Sequence, residues 1–265
     1  MDYSLKVNHK TLESGLKNPP DPEQRDKQFV YIADLREQFA KKINPIISVD
    51  TKKKELIGNF KNNGRSWQRE PLKVNDHDFP SDAIGKAIPY GIYDTIVNCG
   101  TIFLGTSYDT PRFATESIAH WWKTEGRPTY QNAQELLVLA DSGGSNSYRS
   151  RVWKFNLQEK LCNQFGLTVY VSHYPPGSSK WNPIEHRLFS EISKNWEGRP
   201  LDSYETVLKY IRTTKTKSGL EVKAHFVRKK YSKGEKVTNQ EMKTISIERH
   251  HELPDWNYKL KPNKM

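Results

Sequence analysis

Residues 135–141 read ELLVLAD, an unbroken apolar run closed by an aspartate. The run is too short for a helix of at least ~10 residues and fits a strand of 4–8. Successive side chains on a strand face opposite sides of its sheet. A strand with no polar position therefore needs cover on both faces, as interior strands of α/β sheets have. This run constrains the fold more than any other stretch of the chain.

The flanking segments agree with such a sheet. INPIISVDTKK is a short apolar run ending at Asp50 and predicts a strand. ELIGNFKNN, closed by an Asn-Asn-Gly turn signal, predicts a second. Residues 65–95 read as irregular, and TIVNCGTIFLGTSY predicts a third strand. TPRFATESIAHWWKTEG predicts a helix with Thr110 as cap and Pro111 at its first position. ELLVLAD is then the fourth strand. A Gly/Ser turn and a helix ending near Gly166 follow, and LTVYVSHY predicts the fifth strand. Helices over IEHRLFSEISKNWEG and SYETVLKYIRTTKT complete the series, the latter with Ser203 as cap. The order predicts a mixed five-stranded α/β sheet, three antiparallel strands then parallel ones, flanked by helices.

Three domain segments are expected. Residues 1–42 form a linker and a helix whose face carries Phe29, Ile32, Leu35, Arg36 and Phe39. Residues 43–215 form the sheet domain, and 216–265 a basic, aromatic C-terminal extension with strand-like alternation.

The net charge is +11. Residues 1–141 hold 19 Lys and Arg against 19 Asp and Glu, whereas residues 142–265 hold 23 against 12. The whole excess lies in the second part, the footprint of a polyanion partner or of a solvated basic surface. No apolar run reaches the ~18 residues of a membrane span, and the first residues lack the apolar core of a signal peptide. The two cysteines form no CxxC pair, which points to a reducing, cytosolic setting and away from a zinc ribbon. There is no G-x-S-x-G elbow and no Walker ending.

Three acids stand out. Asp50 and Asp141 each close an apolar strand, where α/β sheets place their ligands. Either one alone also suits a strand-end turn. Glu185 follows Asn182-Pro183, a favoured helix start, and falls at the third helical position, where a glutamate caps the backbone. The residues alone leave its role open between cap and third acid of a cluster. Clustered carboxylates repel one another unless a cation neutralises them, and Mg²⁺ prefers oxygen ligands. A pair of such ions can activate an attacking oxygen and stabilise a leaving one. Weaker candidates are DSGGSN, a phosphate-cradling turn or a simple turn, and NDHDF, with Asp76, His77 and Asp78 in a metal loop or a polar turn. His250-His251 reads as a surface pair.

SVDTKKKELIGNFKNNGRSW, VNDHDFPSDAIGKAIPYGIYD, ADSGGSNSYRSRVWK and HYPPGSSKWNPIEHRLFSEISKNWEGRPL closely resemble ISAzo-type insertion-sequence transposases of bacteria. The similarity runs nearly from end to end. That family belongs to the DDE transposases, so the resemblance implies a ribonuclease-H-like fold and a catalytic, metal-holding triad at Asp50, Asp141 and Glu185. It implies two Mg²⁺ or Mn²⁺ ions per site and double-stranded DNA, element ends and target, as substrate. It further implies a homo-oligomer on DNA, in the bacterial cytoplasm at the nucleoid. Lys52, Lys53, Arg149, Lys180, Trp181 and Asn182 are the expected DNA contacts, Asn182 also orienting the helix that carries Glu185. The first residues look like the end of an upstream helix-turn-helix region, and Ser142 stands where the relatives are expected to have Gly. Two alternatives remain: a nuclease of this fold that cuts without joining, and a catalytically silent DNA-binding remnant.

Overall fold

The computed structural model describes residues 21–67, 69–178 and 181–263. The first helix, α1 (Pro22–Lys41), opens on a proline, whose missing N–H would have had no intrahelical partner. Ile32, Leu35 and Phe39 recur at helical spacing and form its buried stripe. Strand β1 (Ile46–Thr51) carries Asp50 one residue before its end. A three-residue strand, β2 (Glu55–Ile57), precedes two longer ones, β3 (Gly85–Asp94) and β4 (Cys99–Gly105). Helix α2 (Pro111–Trp121) is capped by Thr110, whose hydroxyl accepts from the Phe113 N–H at 3.2 Å. It widens into a π-helical stretch, Trp122–Gly126, and ends in the short α3 (Arg127–Thr129).

Strand β5 (Glu135–Ala140) leads through the Gly/Ser turn into α4 (Arg151–Leu157), capped by Ser150 and prolonged by π-helical turns over Gln158–Asn163. Strand β6 (Thr168–His173) follows. The next helix begins with a π-helical turn, Glu185–Phe189, and continues as α5 (Ser190–Asn195). Helix α6 (Tyr204–Arg212) is capped by Ser203, as expected. Strand β7 (Glu221–Phe226), the short α7 (Asn239–Lys243), β8 (Ile247–Arg249) and β9 (Asn257–Leu260) complete the described residues. No helix among them is long and apolar enough to cross a membrane.

The strands form one mixed sheet in the order β7-β4-β3-β1-β5-β6-β9-β8, with β2 beside β3. β1, β5 and β6 run parallel in its middle; β3 is antiparallel to both β1 and β4, and β4 pairs in parallel with β7. Alternate residues of β5 divide between two cores. Leu136, Val138 and Ala140 meet α2 and α4, whereas Leu137 and Leu139 meet the stripe of α1. Beyond β1, the same sheet face is covered by Ile184, Leu188, Phe189 and Ile192 together with α6. ELLVLA is apolar throughout because both of its faces are covered. Burying each such side chain contributes roughly 1.5–3 kcal/mol.

Three expectations are corrected. The second antiparallel strand is β3, within the stretch read as irregular, and 55–63 supplies only the stub β2. Pro89 and two glycines disguise β3. Pro89 lies level with the end of β1, where its carbonyl accepts from the Lys52 N–H at 2.9 Å. N–H and C=O of one residue point to the same edge, so its missing N–H takes nothing from the β4 ladder. Among the described residues the sheet has nine strands where five were expected. The extra ones come largely from 216–265, which is no appendage. β7 pairs with β4 at one edge, and β9 pairs with β6 at the other. Of residues 1–42, the expected remnant at the start lies outside the described residues, and α1 belongs to the core.

Candidate active site

Asp50 and Asp141 are neighbours by register. β1 and β5 pair in parallel up to Val49 opposite Ala140. The next pair is Asp50 and Asp141, on strands about 4.8 Å apart. Asp50 accepts from the Thr51 N–H at 2.7 Å. Burial is the largest influence on Asp50 and raises its proton affinity; the charges of Asp141, Glu185 and Asp109 raise it further. Asp141 is raised too, first by burial and then by Asp109 and Glu185, against the Gly143 N–H and the Asn146 side chain. Among the described residues, its Oδ1 is buried without a hydrogen-bond partner.

Glu185 is brought to the same place by a local device. Ser48 lies two residues before Asp50 and so shares its face of β1. The Ser48 hydroxyl donates to Asn182 Oδ1 and accepts from the Ile184 N–H at 3.2 Å. Asn182 is fully buried, and its side chain is spent on the strand rather than on the helix end. The WNPIE turn is thereby pinned to β1 beside Asp50. Among the described residues the start of this helix has no side-chain cap, and the Glu185 charge acts on both Asp50 and Asp141. Burial raises Glu185, while Lys52, then His186 and then the neighbouring Asp50 hold the rise down.

A fourth acid joins them. Asp109, just ahead of the α2 cap, accepts from the Thr51 hydroxyl at 3.0 Å, and its charge acts on both Asp50 and Asp141. Asn146 of DSGGSN is buried. Its amide reaches the Val49 carbonyl at 3.4 Å, and its oxygen accepts from the Tyr90 hydroxyl at 2.9 Å. DSGGSN therefore serves as the mount of Asp141 rather than as an open cradle. His173 supports the same strand end, its Nδ1 2.8 Å from the Asp141 carbonyl. Burial lowers this histidine to about 4, so its ring is neutral. Sequence reasoning missed Asp109, Asn146, Tyr90 and Ser48. The one local signal was the placement of Asp109 immediately before the Thr110-Pro111 helix start.

The expected DNA contacts separate. Lys52 is only 8 % exposed: its ammonium lies 3.3 Å from Glu55 and 4.6 Å from the centre of the Trp196 ring. It turns inward because the apolar stem finds cover there, and it acts as the countercharge of Glu185. Lys53 is exposed beside a cleft of ≈ 280 Å³ that Lys54 and Lys61 also line. Arg149 is exposed and stacks on Tyr148. Trp181 is 56 % exposed, with an edge contact to Phe29 at 5.9 Å. Lys180 lies outside the described residues. Asp76, His77 and Asp78 form an exposed turn, His77 stacking on Phe79, and His250 stacks between Tyr31 and His251.

Buried, mutually repelling carboxylates, one with an orphaned oxygen, are a donor set suited to a hard divalent cation. Among the described residues, no three Asp, Glu, His or Cys side chains close into a ready-made cage. The fit is one of donor chemistry and charge.

Parallel β1, β5 and β6, with antiparallel β3 beside β1, form a mixed α/β sheet that gathers acids from the ends of β1 and β5 and from the helix after β6. A family profile described as the Rhodopirellula transposase DDE domain matches residues 1–262, and the chain belongs to that family. No curated protein matches the chain. Among solved structures, it is similar to the Mos1 transposase paired-end complex with left transposon end, at 13% identity and TM-score 0.48, covering 77% of this chain and 57% of that one. A pre-cleavage Mos1 transpososome gives 15% identity and TM-score 0.48, over 77% and 58%. The Mos1 strand transfer complex gives 14% and 0.47, over 77% and 57%. The chain thus spans 57% to 58% of the length of these Mos1 chains.

Proposed function

We propose that this domain cuts DNA strands and joins them by metal-dependent phosphoryl transfer, with Asp50, Asp141 and Glu185 as the catalytic acids. The observation that carries the reading is their convergence, with raised proton affinities, at the carboxyl ends of β1 and β5 in a chain of the DDE transposase family. The three carboxylates would hold two Mg²⁺ or Mn²⁺ ions, which supply Lewis-acid stabilisation of phosphoryl oxygens and lower the pKa of water.

The remaining roles follow from the surroundings. Ser48 and Asn182 hold the turn that aims Glu185. Asn146, Tyr90 and neutral His173 hold the end of β5 that carries Asp141. Lys52 holds down the rise that burial imposes on the proton affinity of Glu185. Lys53, Arg149, Lys180 and Trp181 are proposed to contact duplex DNA, their cations holding phosphates and the indole a base or sugar face. The domain would act as a homo-oligomer on element ends and target DNA at the nucleoid.

Incubating the protein with duplex carrying the element's ends, with and without Mg²⁺, tests the reading. Nicked and joined products are expected, and Asp141→Asn should abolish both while retaining the fold. Cut ends that are never joined would mark a nuclease. Salt-sensitive binding with no metal-dependent cutting would mark a silent DNA-binding domain.

A further inference from the structure

A second cleft, of ≈ 520 Å³, opens between the start of α4 and the C-terminal strands. Tyr148, Arg149, Arg151 and Lys154 line one wall, and Arg249 with Asp255 lines the other. Four cations thus face a single carboxylate. Asp255 is engaged with Arg249 at 3.1 Å, and Arg249 also donates to the Pro254 carbonyl. Arg151 donates to the neutral Asn239 at 2.7 Å, and Arg149 to the Tyr148 hydroxyl at 2.9 Å.

Lys154 is the informative member. It is 7% exposed, and its ammonium lies 5.4 Å from the centre of the Tyr258 ring. Among the described residues, neither it nor Arg149 nor Arg151 makes an ion pair with a carboxylate. A buried ammonium without a counter-ion is costly, and burial lowers its proton affinity here. An anion entering the cleft would remove that cost. Guanidinium forks beside an aromatic ring suit a phosphate with its sugar better than a bare carboxylate.

The cleft is coupled to the acids. The Tyr148 ring meets His173 edge-on at 6.1 Å, and His173 holds the carbonyl of Asp141. The chain passes from Asp141 through the DSGGSN turn straight to Tyr148.

We infer that this cleft binds the phosphodiester backbone of DNA as it leaves the catalytic acids, and that the C-terminal strands exist in part to build its second wall. This rests on DNA being the substrate. It extends the contact at Arg149 to a site completed by Arg151, Lys154 and Arg249.

The test is the salt dependence of affinity for a short fluorescein-labelled duplex of arbitrary sequence, read by anisotropy. The proteins are wild type, Arg149→Gln, Arg151→Gln and Lys154→Met, the last keeping the apolar stem. Each cation removed should lower the slope of log affinity against log salt by about 0.9 and weaken binding several-fold at low salt. If Lys154→Met melts early, the two exposed arginine variants decide the matter. Folded variants with the wild-type slope overturn the inference and leave the DNA reading standing. A wild type that binds no duplex overturns both. A wild type that binds without cutting, its slope lowered in the variants, overturns strand cutting and supports the cleft.

Discussion

At the scale of the residue, the site is a problem of charge. Asp50, Asp141 and Glu185 hold protons more tightly in the folded chain than their ordinary values of 3.8 and 4.5. The stability this contributes is complete below those values and is lost as pH rises through the raised ones. His173, lowered from 6.5 to about 4, acts with the opposite sign, its contribution being lost as pH falls through that window. A divalent cation held by these acids would replace their protons, so the gain in Tm on adding Mg²⁺ should be larger at about pH 8 than at about pH 5. Equal gains at both would speak against metal at these acids. Asp141→Asn relieves the repulsion, so the metal-free variant should melt about 2–4 °C above wild type at alkaline pH while losing the Mg²⁺ response. A lower Tm with the response kept would contradict the assignment. Asn182→Ala leaves the Ser48 hydroxyl without its acceptor. It should cost about 1–3 kcal/mol in thermal unfolding and slow metal-dependent cutting, because Glu185 loses its mount. A variant that melts and cuts like wild type would remove Asn182 from the site.

At the scale of the element, the helix carrying Glu185 is seated by two glycines. A Cβ on Gly91 of β3 would lie 2.5 Å from the Phe189 ring and 2.9 Å from Ile184, and one on Gly100 of β4 would lie 2.3 Å from Leu188. Both glycines let the helix approach the sheet closely enough for Glu185 to reach Asp50. Gly91→Ala should destabilise by about 1–3 kcal/mol and lower cutting more than DNA binding, because it displaces the helix and not the basic surface. Denaturant melts beside an affinity measurement check this; an unchanged cutting rate would show the helix position to be uncritical. Gly91, with Gly85, also explains why β3 was illegible in the sequence. Its two glycines and Pro89 read as loop chemistry, yet here they record close approach and the end of a neighbouring strand. Elements with a clean local signature were legible: the caps at Thr110 and Ser203 and the apolar runs of β1, β5 and β6.

At the scale of the whole molecule, the basic second part of the chain is built into the sheet at both edges. Tyr258 and Leu260 are buried against β6, and the Tyr258 hydroxyl accepts from Trp153 Nε1 at 3.0 Å. A chain ending at residue 215 would expose the edges of β4 and β6 together with the apolar face under β9. It should fail to melt cooperatively and should aggregate, as circular dichroism and size-exclusion chromatography would show. A cooperative melt of that fragment would restore 216–265 to the status of an appendage.

The sequence by itself determined the strands that end in Asp50 and Asp141, the helix starts and the charge asymmetry, and it left Glu185 open between a cap and a third acid. Each is written in contiguous residues, through periodicity, capping chemistry or counting. Only the tertiary structure decided that Lys52 turns inward, that Asn182 is spent on Ser48, that Asp109 stands with the triad and that the C-terminal strands close the sheet. Those outcomes depend on contacts between residues far apart in the chain, such as Ser48 and Asn182, 134 positions apart. Sheet register and burial set such contacts, and neither can be read from any local window.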